Sequence, residues 1–438
     1  MARFIKSLSV VAAVLLAFAR VCAAQNVARS GSVLMPQSSI EHPADAGVRF
    51  HTNTMLQTVY APPGQGAIIP NLTLGAPPFA ALAFETPASL GCVYHLVSTV
   101  GPHCNPNVVT ENPTGGSRLI AIVDAFDDPN AMSDLNAFSS QFGLPLVTSS
   151  TFKVVYASGP QPAQDPTGGW EGEESLDIEM AHAMAPGANL VLVEAATNSD
   201  SDLLSAVTTA SGLVVAAGGG EVLMDWGGPE TSDETSLDSL FTTPGVVYIS
   251  STGDNPGTQY PSVSPNVIAV GGSTIRRSVF TDKLIRQGAW QDAAGGPSLF
   301  EARPAYQNPV ARQFPSIVQD RRGVPDLSFD ADPNNGAWVY DSIPMNDVPD
   351  GGVNGSNWYV FGGTSLSAAA TVGVINVAGR FSASSADELR VMYKHSTLGS
   401  DYHDVATGDS CGLYNSFSAV VGWDYCTGVG TPVGYEGK

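Results

Sequence analysis

The sequence is poor in basic residues. It holds 19 Lys and Arg against 41 Asp and Glu, which gives a formal net charge of −22 at neutral pH. Because a nucleic-acid-binding surface needs a basic face, nucleic acid is excluded as a partner. The surplus of carboxylates fits a protein that works in acid, where many of them are protonated, and it also fits simple solubility. The charge alone does not choose between these two interpretations.

Long apolar runs are also scarce, and the first one lies at the start of the chain. Arg3 and Lys6 precede an apolar stretch over residues 8–19, and small residues end at Ala24. The pattern is typical of an export signal, and the stretch is too short for a permanent membrane anchor. We therefore predict a signal peptide over residues 1–24 and a secreted protein. The signal contains three basic residues, so 16 remain against 41 acidic ones and the net charge becomes −25.

Cysteine is rare, with five residues in the whole chain. Cys22 falls inside the predicted signal, which leaves Cys92, Cys104, Cys411 and Cys426. An even number of cysteines in an exported protein favours two disulfides. Three connectivities are possible, and the simplest joins the neighbours in sequence, Cys92 with Cys104 and Cys411 with Cys426.

The organisation of the chain follows from its turn residues and its hydrophobic periodicity. Residues 25–87 are rich in Pro, Gly and Ser, and we interpret them as a short N-terminal extension, with a reduced pro-segment as one reading. From residue 88 to 438, strand and helix patterns alternate, which predicts a mostly parallel sheet covered by helices on both faces. Strands are predicted at 119–125, 152–157, 190–196, 213–217, 246–250 and 267–270, and helices at 129–142, 173–185 and 201–210.

Two carboxylates stand four positions apart in one of these helices. Glu173 and Asp177 therefore share a helix face, although like charges at this spacing disfavour an isolated helix. Glu171, Glu174 and Glu179 crowd the same stretch. On its own, the segment is typical of an acidic helix face in contact with solvent.

A serine and an aspartate lie in two loops that we expect at the same edge of the sheet. Ser365 comes after Gly362-Gly363-Thr364 and opens an apolar helix, so its backbone amide can point at a forming oxyanion; the alternative is an ordinary N-cap serine. Asp254 ends a turn after the strand at 246–250; the alternative is a common turn aspartate. In open α/β sheets both loops belong to the edge that carries the site.

No histidine is placed to act as the base of a subtilisin. The chain has seven histidines, and none is followed by glycine, as the His-Gly-Thr motif of subtilisins would require. His182 comes five residues after Asp177 and lies about 140° round the helix from it, so we interpret His182 as structural.

Taken in chain order, the segments that hold Glu173 and Asp177, Asp254, and Ser365 resemble the sedolisin family of serine-carboxyl peptidases. The resemblance runs from about residue 90 to the C-terminus, and further matching motifs are Ala185-Pro186-Gly187-Ala188, Arg303-Pro304-Ala305-Tyr306, Val324-Pro325-Asp326, Ala331-Asp332-Pro333 and residues 422–428. It implies an α/β, subtilisin-like three-layer fold with a mostly parallel central sheet flanked by helices. It also implies that residues 88–438 form a catalytic domain that acts, as a monomer, on peptide or protein substrates.

The resemblance implies a role for each candidate residue. Ser365 is the nucleophile, Glu173 the general base and acid, Asp177 the partner that holds Glu173, and Asp254 the oxyanion donor. A glutamate, with an ordinary pKa of about 4.3, accepts a proton at a pH where histidine, at about 6.5, is already charged. Asp254 donates only while it is protonated, so both ends of the site favour action in acid.

The resemblance also implies a calcium site near the C-terminus. Its ligands are the side chains of Asp404 and Asp424 and the backbone carbonyls of Val405, Val420 and Gly422. An all-oxygen cage of this kind suits calcium and not zinc. Without the resemblance, the two aspartates read as surface residues.

Departures from the family pattern, and other function classes, bear on this prediction. Only about 65 residues separate the signal from Cys92, whereas the family usually has a long folded pro-domain. Asp225 stands where a small serine is typical, and Ala369 replaces a proline four residues after Ser365.

The main alternative is an exported binding or wall-associated protein without activity. A glycosidase is disfavoured because carboxylates four apart on a helix touch each other and cannot flank a sugar ring.

Overall fold

The computed structural model describes residues 31–59, 68–79, 82–348, 351–396, 399–406, 409–412 and 416–438. The predicted signal peptide lies outside these residues. None of the helices in the described ranges is both long enough and apolar enough to cross a bilayer.

The α-helices of the described chain are α1 (Pro87–Val93), α2 (Ala131–Phe142), α3 (Gly169–Met184), α4 (Asp200–Ala216), α5 (Asn308–Gln313), α6 (Thr364–Ala378) and α7 (Ser385–His395). The strands are β1 (Val33–Leu34), β2 (His51–Thr52), β3 (Met55–Gln57), β4 (Leu119–Ala125), β5 (Phe152–Tyr156), β6 (Asn189–Ala195), β7 (Gly220–Met224), β8 (Trp226–Pro229), β9 (Val246–Ser251), β10 (Gln259–Tyr260), β11 (Ile268–Arg277), β12 (Leu284–Ala289), β13 (Gly296–Ala302), β14 (Arg321–Val324), β15 (Leu327–Asp330), β16 (Ala337–Tyr340), β17 (Trp358–Gly362), β18 (Tyr402–His403), β19 (Ser410–Cys411), β20 (Phe417–Ser418) and β21 (Thr431–Pro432).

A central sheet of eight strands organises the molecule. Its order is β12-β11-β9-β7-β4-β6-β5, with β15 also beside β11, and every pairing except β11 with β12 is parallel. The sheet therefore presents the carboxyl ends of its parallel strands at one edge, as predicted.

Helices cover both faces of this sheet because successive side chains of a buried strand point to opposite sides. In β4, Ile120 and Ile122 join the core that includes residues of α3 and α6. Ala121 and Val123 join the second core, which includes residues of α4. The result is the predicted three-layer α/β fold.

One predicted strand, at residues 213–217, is wrong. Helix α4 continues to Ala216, and the strand begins at Gly220. Gly218 and Gly219, with φ of 92° and 103°, end the helix in a backbone conformation that glycine adopts readily. Helix α3 also begins earlier than predicted, at Gly169 and not at Glu173.

The N-terminal extension is built into the domain surface. Strand β2 pairs antiparallel with β8, and β3 pairs antiparallel with β17. Further along, Glu85 is buried and receives two hydrogen bonds from the Arg277 guanidinium, at 2.5 and 2.7 Å. The extension therefore lies over the same sheet edge as the predicted catalytic residues.

Both predicted disulfides are present. Cys92 is joined to Cys104, and Cys411 is joined to Cys426. The first bridge ties α1 to the loop that follows it, and the second closes a small C-terminal unit around β19 and β20. The simplest of the three possible connectivities is confirmed.

Candidate active site

Helix α3 carries Glu173 and Asp177 into the interior of the protein. Every residue of the helix is buried, so the solvent-exposed acidic face considered from the sequence is wrong. The residue before the helix, Gly168, has φ of 75°. Asp165 caps the helix by accepting hydrogen bonds from the amides of Gly169 and Trp170 at 3.0 and 3.3 Å. The glycines and the capping aspartate fix where α3 starts, and therefore where the Glu173 and Asp177 carboxylates lie.

Ser365 lies at the start of α6, directly after β17. Gly363 makes the turn with φ of 101°, which a residue with a side chain rarely adopts. The Ser365 hydroxyl donates to the backbone carbonyl of Asp225 at 3.2 Å, and it lies within hydrogen-bonding reach of the Glu173 carboxyl. The start of α6 and the acidic helix α3 thus border the same site.

Asp254 follows β9 and is held by the same turn. Its Oδ1 accepts hydrogen bonds from the Thr364 amide at 2.7 Å and the Thr364 hydroxyl at 2.9 Å. Its Oδ2 is buried without a hydrogen-bond partner. Burial raises the pKa of Asp254 to about 8, so this carboxyl is protonated in acid and Oδ2 can donate.

The Glu173 and Asp177 carboxyls belong to a larger buried group. Burial first, and then the charges of Asp225 and Asp124, raise the pKa of both carboxyls well above the ordinary value. Asp225 lies beside Asp177, and its Oδ1 also accepts from the Ser251 amide at 3.2 Å. Like charges packed this closely cannot all ionise, so the group shares protons.

Asp124 and Asp225 are the carboxyls of this group that the sequence did not identify as site residues. Asp124 lies inside β4, an otherwise apolar strand, and Asp225 directly follows the buried strand β7. The sequence signal that could have identified them is a charged residue in or just after an apolar strand, at the sheet edge where the site forms.

The N-terminal extension also reaches the site. Asn53 and Thr54, between β2 and β3, are buried beside Ser365. The Ser365 amide donates to the Asn53 carbonyl at 3.1 Å, and the Thr54 hydroxyl donates to Glu173 Oε2. Nothing in the local sequence predicts this, because the contacts join segments more than a hundred residues apart.

His182 has the structural role predicted for it. Its ring is buried at the end of α3, and Nε2 contacts the Pro145 carbonyl at 2.8 Å. Burial lowers its pKa, which favours the neutral form of the ring.

Two of the predicted calcium ligands, the Asp404 and Asp424 side chains, contact the same turn near the C-terminus. The Gly422 amide donates to Asp404, and the Val420 amide donates to Asp424, each at 2.8 Å. Asp424 also accepts from the amides of Cys426 and Thr427. In the described part of the chain, no three His, Cys, Asp or Glu side chains are grouped to hold a metal, so any cage here depends on backbone oxygens.

The fold and this group of side chains define a class of protein. A mostly parallel sheet between two helical layers carries, at its carboxyl edge, a serine at a helix start and a set of carboxyls without a histidine. This is the arrangement of a subtilisin-like α/β protein with a serine-carboxyl site.

Comparison with known proteins gives the family. No family model matches the chain. Kumamolisin of Bacillus sp. (strain MN-32) is 33% identical over 364 residues, covering 74% of this chain and 60% of that protein. Sedolisin of Pseudomonas sp. (strain 101) is 26% identical over 357 residues, covering 73% of this chain and 57% of that protein. The chain thus spans less than two thirds of the length of these relatives.

A solved structure gives the same result for the fold. Pseudomonas sedolisin, a serine-carboxyl proteinase complexed with two molecules of pseudo-iodotyrostatin, superposes with a TM-score of 0.61 at 21% identity, covering 80% of this chain and 96% of that chain. The subtilisin-like fold is confirmed, and the relatives found by sequence support the sedolisin family for this chain.

Proposed function

We propose that this protein is a secreted, acid-acting serine-carboxyl peptidase that hydrolyses peptide bonds through an acyl-enzyme on Ser365. One observation carries the proposal: the Ser365 amide and the free Oδ2 of Asp254 border the same small space, next to Glu173. A pair of donors beside a nucleophile and its base is what acyl transfer requires. The relatives named kumamolisin and sedolisin support the same activity.

The residues divide the chemistry as follows. Glu173 takes the proton of Ser365 as the hydroxyl attacks the substrate carbonyl carbon, and it later gives that proton to the leaving amine. Asp177 and Asp225 lie behind Glu173 and hold protons that stabilise its charge. Asp254 and the Ser365 amide donate to the oxyanion. Activity should therefore peak in acid and fall as pH rises and Asp254 ionises, because a carboxylate cannot donate.

We further propose that the C-terminal turn binds calcium through the side chains of Asp404 and Asp424 and the backbone carbonyls of Val405, Val420 and Gly422. The two carboxylates accept hydrogen bonds from amides of the same turn, those of Gly422 and Val420, and all the proposed ligand atoms are oxygen, which suits a hard cation. When bound, calcium would neutralise the two carboxylates and link residues 404–405 to this turn. It would have no part in the acyl transfer.

The test of the proposed peptidase is a pair of serine substitutions on the same helix. After exposure to acid, the Ser365→Ala protein should no longer hydrolyse a peptide library, and a peptide aldehyde should no longer label it covalently. Ser367→Ala is the matched control, because the Ser367 hydroxyl bonds to Gly271 and Phe329 and does not face the site. It should lower the melting temperature while retaining hydrolysis.

If the wild-type protein neither cleaves peptides nor takes up the aldehyde after exposure to acid, the non-catalytic binding protein considered from the sequence becomes the better interpretation. Hydrolysis that survives Ser365→Ala would contradict the assignment of the nucleophile.

A further inference from the structure

A row of polar side chains crosses the central sheet near the carboxyl ends of its parallel strands. Asp124 of β4 lies directly beside Glu194 of β6, and Glu194 lies beside Tyr156 of β5, the strand at the edge of the sheet. On the other side of β4, the register with β7 brings Asp225 level with Asp124. Because neighbouring strands lie about 4.8 Å apart, the row leads in short steps from the candidate active site to the edge of the sheet.

The acidic side chains of this row point to the face of the sheet that α3 covers. Ile122 of β4 and Leu192 of β6 join the core that includes residues of α3. Side chains alternate along a strand, so Asp124 and Glu194, two residues further on, point to the same side. Helix α3 adds Glu174, which is fully buried and close enough to both carboxyls for their charges to act on it.

The oxygens of these carboxyls are buried without ordinary partners. Within the described residues, neither oxygen of Asp124 and neither oxygen of Glu174 has a hydrogen-bond partner, and the same holds for one oxygen of Glu194. Buried polar atoms in proteins nearly always have a partner. Neighbouring carboxyls can supply one to each other only when a proton lies between them. Burial raises the pKa of Asp124 to about 8 and that of Glu194 to about 9, so both carry a proton in acid.

The outer end of the row lies just beneath the protein surface, at Asp127. This carboxyl is within hydrogen-bonding reach of Glu194 and of the partly exposed Tyr156 hydroxyl, and its Oδ2 accepts from the side-chain amide of Gln161 at 2.8 Å. Gln161 is exposed to solvent. The other titratable groups that face Glu174 and Glu194 are Asp128 and Glu171.

The inner end of the row is the proposed catalytic group. Asp124 lies beside Asp225 and close enough to Glu173 and Asp177 for its charge to act on both. Glu173 and Asp177 are fully buried, so a proton from solvent cannot reach them directly. Carboxyls that are spaced from this group to the surface provide a route for it.

We propose that Glu174 and Glu194 form a proton relay between the buried catalytic group and solvent at Asp127, an inference that rests on the proposed peptidase activity. Each carboxyl accepts a proton on one oxygen and releases the proton of the other, so only O–H bonds form and break. In acid, a peptide bond, one water and one proton give a carboxylic acid and an ammonium group. The relay delivers that proton through Asp124 while a bound peptide covers Ser365.

The test is Glu194→Gln, because an amide has the shape of the carboxyl but cannot pass a proton on. For Ser365-dependent hydrolysis of a peptide at about pH 4, kcat should fall at least about tenfold with KM nearly unchanged. The solvent deuterium isotope effect on kcat should rise, since proton delivery becomes rate-limiting. Glu221→Gln is the matched control, because Glu221 is also a buried carboxyl of raised pKa but bonds to Asn376 away from the row. It should retain both kcat and the isotope effect.

Further variants separate a relay from a structural role. Glu194→Asp keeps a carboxyl and should recover part of kcat. Glu174→Gln should reproduce the effects of Glu194→Gln, and it gives the same test if Glu194→Gln melts below the assay temperature. The two substitutions together should slow hydrolysis no more than the slower single one, because both interrupt one route.

An unchanged kcat, a loss of kcat with the isotope effect unmoved, or losses that multiply in the double variant would each overturn the relay. If wild-type hydrolysis depends on Ser365 while Glu194→Gln and Glu174→Gln are unaffected, the relay is wrong and the peptidase stands. If the wild-type protein does not hydrolyse peptides, both proposals are wrong.

Discussion

Asp225 is the side chain that most changes the expected chemistry. The sequence marked it only as a departure from the family pattern, beside the substrate cleft. In the structure it is buried next to Asp177, and its backbone carbonyl accepts the Ser365 hydroxyl. The pair of carboxyls predicted from α3 is therefore part of a larger group, and its protons belong to the group and not to one residue.

This arrangement predicts a change in the pH profile of Asp225→Asn. Burial first, and then the charge of Asp225, raise the pKa of Glu173, so removal of that charge should lower the pKa and move the acid limb of kcat/KM to lower pH. The asparagine oxygen can still accept from the Ser251 amide. Asp320→Asn, at an exposed position, should leave the profile unchanged. A reduced rate with the acid limb unmoved would show that Asp225 serves the fold alone.

The other site residues were predictable only where a single segment of the sequence carries a recognisable pattern. Asp254 follows β9 of the recognisable α/β pattern, so its place at the carboxyl edge of the central sheet follows from topology. Ser365 follows β17, which pairs antiparallel with β16 and β3 in a separate sheet, so its approach to Asp254 does not follow from that pattern. Asp124 could have been found as a carboxylate inside an apolar strand. Asn53 could not, because its contact with Ser365 depends on a long-range pairing that has no local pattern.

Among the elements, the errors lie where short-range patterns are ambiguous. Residues 213–217 contain Leu and two Val, which favour a strand. In the helix, however, Val207, Ala210 and Val214 are all buried at helical spacing on the face that packs on the sheet. The packing of that face outweighs the β propensity of the last turn. The helix then ends at glycines with positive φ.

The elements of the extension were missed for a different reason. Strands β2 and β3 have two and three residues, too few for a period-two pattern to be recognised. They exist because β8 and β17 leave free edges beside the site that an extended segment can pair with. A composition rich in Pro and Gly correctly indicated an irregular segment but said nothing of where it binds.

The C-terminal turn gives a prediction for calcium. A metal that binds only the folded state stabilises it by about 3 kcal/mol at a hundredfold excess over Kd. Chelator should therefore lower the melting temperature of the wild-type protein relative to millimolar calcium, as followed by circular dichroism. Asp404→Asn, whose amide oxygen can still accept from the Gly422 amide, should weaken this response without unfolding the turn.

Asp424→Ala removes a carboxylate that also accepts backbone amides, so it should lower the melting temperature and abolish the calcium response together. If wild-type protein melts at the same temperature with chelator and with calcium, the calcium site is absent and the two aspartates have a structural role only.

For the molecule as a whole, the acidic residues that give the large negative charge do not lie only at the surface. Carboxyls are buried throughout the core and not only at the site. Glu221, for example, lies beneath α6, where it accepts from the Asn376 amide group at 2.8 Å. Burial raises the pKa of Glu221 and of Asp124 to about 8. The excess of acidic residues therefore includes buried carboxyls that are uncharged in acid, which favours the proposed action in acid over simple solubility.

These buried carboxyls predict that the protein is most stable in acid. In the unfolded chain their pKa is about 4, whereas in the folded protein that of Asp124, Glu221 and Asp254 is about 8. Between these values the folded state holds protons that the unfolded state has lost, so the free energy of unfolding is largest below about pH 4 and falls as pH rises towards 8. The melting temperature should fall by at least about 5 °C from pH 4 to pH 7.5, measured in Ser365→Ala protein so that proteolysis does not interfere. Glu221→Gln, which keeps an acceptor for Asn376, should reduce this slope, whereas Glu436→Gln at the exposed surface should not. A melting temperature that rises between pH 4 and pH 7.5 would mean that the buried carboxyls ionise without cost, and acid action would then need another cause.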